Sequence, residues 1–157
     1  MARSIIGVIV GYLVMFVLVF VTFTIAYLAM GPDRAFKPGN YETSSLWLIS
    51  SFVLGLIAAV LGGVFCRLIA RNMTAVYGLA GIVLVLGILF AIPSLTADPA
   101  EQPPRTAEVG NLEAMQNART PVIAAVANPV IAALGAVIGG LLVERRRATS
   151  PEPTQRV

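Results

Sequence analysis

SIIGVIVGYLVMFVLVFVTFTIAYLAMGP, residues 4 to 32, runs for 29 positions without a charged side chain. An α-helix rises 1.5 Å per residue, so roughly 20 apolar residues cross about 30 Å of hydrocarbon, and this stretch is long enough. Three further charge-free runs follow: Thr43 to Cys66, Asn72 to Ala97 and Thr120 to Val143, of 24, 26 and 24 residues. The fold class expected is therefore all-α: an integral membrane protein with four transmembrane helices in a small bundle, over about residues 4–30, 46–68, 74–95 and 121–143. Loops 31–45 and 96–120 complete a single domain of residues 1–147, and a cytoplasmic tail, 148–157, follows it. Of the 157 residues, 57% are apolar and 12% charged. A soluble domain carries about 25% charged residues, and the remainder outside the four runs is too short to form one.

Counting excludes several chemistries. Histidine is absent, Cys66 is the single cysteine, and none of the four runs contains Asp, Glu, Lys or Arg. No catalytic site, metal site or cofactor is expected, because an imidazole haem ligand, a zinc site and a His-based triad all lack their residues. Proton coupling needs an ionisable group inside the membrane, and none is there. The net charge of +3 comes from residues flanking the apolar runs. It points to the lipid bilayer as the partner and not to nucleic acid.

The flanking charges set the orientation. Arg3, Arg67, Arg71, Arg145, Arg146, Arg147 and Arg156 fall on one side, with Glu144 and Glu152, for a balance of +5. Arg34, Lys37, Arg105 and Arg119 fall on the other, with six acids, for −2. Cytoplasmic loops carry the basic excess, so both termini are expected inside. Arginine outnumbers lysine ten to one, the codon signature of a GC-rich genome, so a bacterial cytoplasmic (inner) membrane is the expected location. The first run exceeds the 7 to 15 residues of a signal-peptide core and reads as an uncleaved signal anchor.

The first loop, with Pro32, Pro38 and Gly39, reads as an irregular turn. In the second loop three prolines exclude regular helix over Thr96 to Pro104. Thr106 to Arg119 then places Val109, Leu112, Met115 and Ala118 at helical spacing, either an amphipathic helix on the membrane surface or a loop with accidental periodicity. Thr120 and Pro121 read as N-cap and first-turn proline of the last helix. The proline-containing tail reads as disordered.

Helices in lipid associate where small residues let backbones approach. Gly55, Ala59 and Gly63 form such a row in the second helix, Gly135 and Gly139 in the fourth. Gly7 and Gly11 are spaced alike in the first, and Ala124, Asn128, Ala132, Ala136 and Gly140 make a neighbouring ridge in the fourth. These rows serve packing within the bundle or association with another chain. Ala58 to Phe65 also aligns with Gly135 to Leu142 at an offset of 77, which a duplicated hairpin related by an axis along the membrane normal would produce.

Tyr12, Phe16, Phe20, Phe23 and Tyr27 lie on one face of the first helix and hold five of the twelve aromatic residues. That face meets lipid or the bundle, or it docks a partner helix or an apolar molecule. Trp47 and Tyr41 read as interfacial anchors. Asn128 and Pro129 mark a kink or a polar site within the membrane. Cys66 reads as a small packing residue. Arg145, Arg146 and Arg147 stop transfer and are placed to hold anionic lipid head groups.

The leading functional expectation is a non-catalytic accessory or scaffold subunit that docks on a larger membrane assembly, through other transmembrane proteins or by self-association. The alternative is a small channel or uncoupled transporter with a sparse polar path of Asn128, Thr22, Thr24, Ser50 and Ser51. A membrane enzyme would have to use acids in the loops, such as Glu108 and Glu113.

Overall fold

The structure, a computed structural model, describes residues 1–96, 113 and 117–148. Among these residues there are five helices and no strand: α1 (Ala2–Met30), α2 (Pro32–Ala35), α3 (Ser45–Ala70), α4 (Met73–Thr96) and α5 (Val122–Ala148). The four long ones are long and apolar enough to cross a membrane. The chain is a multi-pass membrane protein by the distribution of its side chains as well. Large apolar groups such as Ile5, Ile49, Phe90 and Ile123 point outward, while the buried positions are small: Ala58, Ala59, Ala136. A water-soluble protein sorts its residues the other way.

Local chemistry fixes the helix ends. The Ser44 hydroxyl accepts the backbone N–H of Trp47 at 3.1 Å and caps α3. Arg71 ends that helix in the left-handed region (φ 58), where its N–H donates to Arg67 O at 2.9 Å. The next residue, Asn72, accepts from Ala75 N at 2.8 Å to start α4 and donates to Ser4 Oγ at 2.9 Å. It thereby ties the beginning of α1 to the α3–α4 link. The first backbone bond of α5 runs from Ala125 N to Pro121 O at 2.9 Å. Pro121 thus stands just before the helix, one position earlier than first-turn proline would be. At its other end α5 continues through Glu144, Arg145 and Arg146.

The long helices form a ring in the order α1, α3, α5, α4, with α4 closing back onto α1 and α3 and α4 facing each other across it. Alternating directions put the N-terminus, the 71–72 link and the end of α5 together at one end, the terminus end. Loop 31–44 and residues 117–120 lie at the other, the loop end. A two-fold axis through the α3–α5 contact along the helix direction would separate α1 from α4. These two helices instead touch, with Leu79 packed on Gly11. The helices are therefore not arranged as a parallel duplicated hairpin.

The first loop is more ordered than its prolines suggest. It opens with the single turn α2, and Tyr27, Ala35, Phe36 and Tyr41 form a small core of their own. Phe36 meets Tyr41 and Tyr27 edge-on, at 6.3 and 6.2 Å. Tyr41, expected as an interfacial anchor, is instead buried under this loop. Thr43 N donates to Arg119 O at 3.0 Å and Arg119 N to Tyr41 O at 2.9 Å, stitching the two loops together. Asn117 N still donates to Glu113 O as in a helix, but by Arg119 the chain is extended. The surface helix expected up to Arg119 therefore ends before it. The rest of that helix, Glu108, and the tail beyond Ala148 lie outside the described residues.

Candidate functional site

At the terminus end the helices pack backbone to backbone. A Cβ added to Gly63 would collide with the carbonyl of Ala136, and one added to Gly139 with that of Val60. Gly135 faces Ala59 in the same α3–α5 seam. Gly7 and Gly11 make the corresponding approach of α1 to Cys66, Ala70 and the Gly62 carbonyl. Cys66 is fully buried there. Gly55, expected in the α3 packing row, has nothing within 4 Å of an added Cβ. The reason is geometric: α3 holds α5 closely from Leu56 toward the terminus end, and Gly55 lies at the margin of that seam.

Toward the loop end the helices spread. The contact of Gly11 with Leu79 lies two turns below Val19 and Gly87, and those two residues line a cavity of about 370 Å³. All four long helices line it. Its floor is apolar, from Met15, Leu56, Val83 and Ala132, and its polar groups are Ser51, Thr120 and Asn128. Below the floor Val76, Leu79 and Cys66 are wholly buried, so the cavity does not continue toward the terminus end. Phe90, 77% exposed, stands at its margin and leaves the cavity open to the outer surface of the ring.

Asn128 is half-buried in the wall, and among the described residues no group hydrogen-bonds its amide. Pro129 beside it is buried against Gly87, whose missing side chain makes room for the ring. Three of the other four polar residues of the expected path turn back on their own helices. Thr22 donates to Leu18 O at 2.6 Å, Thr24 to Phe20 O at 2.7 Å and Ser51 to Leu48 O at 2.8 Å. No continuous polar route joins them to Asn128.

The aromatic face of α1 divides. Tyr12 packs on the main core, Phe23 meets Trp47 at 5.9 Å, and Tyr27 is buried between Trp47 and Phe36. Phe16 and Phe20 remain outside, stacked at 6.4 Å and 59% and 65% exposed. Beside Phe20 a groove of about 290 Å³ is lined by Phe23, Tyr27, Phe36 and Trp47.

Arg67 is the residue whose environment charge counting misses. Its side chain is 9% exposed, its Nη2 lies 3.9 Å from Glu144 Oε1, and among the described residues its Nε and Nη1 have no hydrogen-bond partner. The signal was its place directly after Cys66 on the packed face of α3. Arg145 and Arg146 are exposed at the end of α5, whereas the side chain of Arg147 lies outside the described residues. Among the described residues no cluster of His, Cys, Asp or Glu could hold a metal.

Comparison of the chain with protein-family models, with curated proteins and with solved structures finds no match.

Proposed function

We propose that this chain is a non-catalytic accessory or scaffold subunit of a larger membrane assembly, and that the outward face of α1 docks on a transmembrane helix of its partner. The observation that carries this reading is the stacked pair Phe16 and Phe20, which is exposed while Gly7, Gly11, Gly63, Gly135 and Gly139 are taken up by packing within the ring. Two rings at mid-helix give a neighbouring helix a large, stiff surface, and aromatic residues concentrate the energy of protein contacts. In this reading the protein lies in a bacterial cytoplasmic membrane with both termini and the 71–72 link inside, as the charge asymmetry supports. Arg145, Arg146 and Arg147 then meet anionic head groups at about 1 kcal/mol each.

The test is purification of the tagged chain from its own membrane in mild detergent. A stoichiometric membrane protein that accompanies the parent and is lost from the Phe16→Ala/Phe20→Ala variant at matched expression supports docking. Unchanged recovery of every companion removes it.

A second reading, a small channel or uncoupled transporter with its path around Asn128, is favoured by the loop-end cavity. It requires the closed packing of Met15, Val76 and Leu79 to open, since these side chains bar the way to the terminus end.

A further inference from the structure

The loop-end cavity has the features of a small-molecule site. Its volume, about 370 Å³, falls in the range of ligand pockets, and its wall is apolar with a few polar groups. It is not a comfortable place for water, which seeks two to four hydrogen-bond partners. Ser51 already uses its O–H on Leu48 O, and the floor of Met15, Leu56, Val83 and Ala132 offers none. Among the described residues of the wall, the side chain at depth whose polar groups face the cavity unanswered is Asn128, whose amide carries two N–H donors and a carbonyl acceptor. With two donors to one acceptor, the amide is answered first of all by an acceptor. Among the described residues no charged side chain lines the cavity. A charged molecule at that depth would stay uncompensated, and the ligand is therefore uncharged.

The route of entry follows from the helix geometry. α1 and α4 touch at Gly11 and Leu79 and both line the cavity two turns farther on, by Val19 and Gly87, with Phe90 exposed at the margin. A molecule dissolved in the membrane reaches the cavity at that margin without crossing the packed terminus end. Gly55 opens the α3 wall further, because no atom stands within 4 Å of where its Cβ would be.

We propose that this cavity binds an uncharged, largely apolar molecule bearing a carbonyl group, drawn from the membrane and oriented by a hydrogen bond from the Asn128 amide. The site is separate from the outward Phe16 and Phe20 face, so it stands whether or not that face docks a partner.

The experiment uses the full chain in phosphatidylethanolamine/phosphatidylglycerol vesicles and benzophenone, an apolar ketone that attaches to nearby C–H bonds on irradiation. Mass spectrometry of the labelled protein should find saturable adducts at cavity residues such as Met15, Leu56 and Val83. Excess fluorenone, another ketone, should suppress them, and anthracene, a hydrocarbon of similar size, should do so several-fold less well. Asn128→Leu should lower the labelling about five- to tenfold, the worth of one hydrogen bond, and Gly55→Phe should abolish it by filling the space. Non-saturable labelling spread over outward residues such as Phe20 and Ile123 overturns the site. Equal suppression by anthracene and fluorenone, or undiminished labelling of Asn128→Leu, overturns the carbonyl class. Should a variant fail to insert, the competition series on the parent protein decides between these outcomes.

Discussion

Gly63 of α3 lies so close to the carbonyl of Ala136 in α5 that a single methyl group on Gly63 would overlap it. Eight residues earlier on the same helix, Gly55 has open space in that direction. The two glycines should therefore respond oppositely to the same substitution. Gly63→Ala and Gly139→Ala force the α3–α5 seam apart and should each cost about 1–3 kcal/mol, as overpacking does. Gly55→Ala should be neutral or stabilise by up to about 1 kcal/mol, because it removes only backbone freedom. Thermal unfolding in detergent, with Val85→Leu on the exposed face of α4 as a control, measures the difference. Equal Tm shifts at Gly55 and Gly63 would refute the close seam.

Buried Arg67 leads to a less intuitive outcome. Among the described residues two of its nitrogens have no hydrogen-bond partner, and its only carboxylate neighbour, Glu144, is half exposed at 3.9 Å. Replacing a poorly compensated buried ion by an apolar side chain of similar length is often neutral or stabilising. Arg67→Met should accordingly leave Tm unchanged or raise it, while Glu144→Ala, which removes that contact, should lower stability by up to about 1 kcal/mol. A drop in Tm of Arg67→Met larger than that of Glu144→Ala would show that the guanidinium is well satisfied.

The loop core makes a local prediction. Phe36 is wedged among Tyr27, Tyr41 and Ala35, and its loss should free the segment while the long helices stay folded. Phe36→Ala should make the Arg34–Ala35 bond quickly cleavable by trypsin in the folded protein, with little change in helical circular dichroism; Lys37 precedes Pro38 and resists trypsin in either case. Protection equal to the parent's would mean that the loop is held by its link to Arg119 and not by its rings.

Charge-free runs were enough to read four membrane-length helices, because an apolar span excludes charge throughout its length. The spacing of Gly135 and Gly139 is equally visible, but the partner they meet is not, since the order of helices in a ring leaves no periodic mark on the sequence. Gly55 shares that spacing with Ala59 and Gly63, yet sequence gives no sign of where α3 and α5 cease to touch. The cavity is likewise formed by residues of all four long helices that lie far apart in sequence, and Asn128 is legible only as an unusual polar residue. Arg67 reads as a flanking charge because it directly follows an apolar run, although its helical face turns it inward. Phe36 and Tyr41 sit in a loop too short for a pattern, so their shared core appears only in three dimensions.

Four crossings with both chain ends on one side underlie the site, the docking face and the route of entry, and they are directly measurable. Single cysteines at Gly39, Asn117, Asn72 and Arg146, placed in a Cys66→Ala background, would be treated in intact cells with a membrane-impermeant thiol reagent. The expected result is labelling at 39 and 117 from outside, and labelling at 72 and 146 only after the membrane is opened. Labelling of 72 or 146 in intact cells, or a split between 39 and 117, would contradict it.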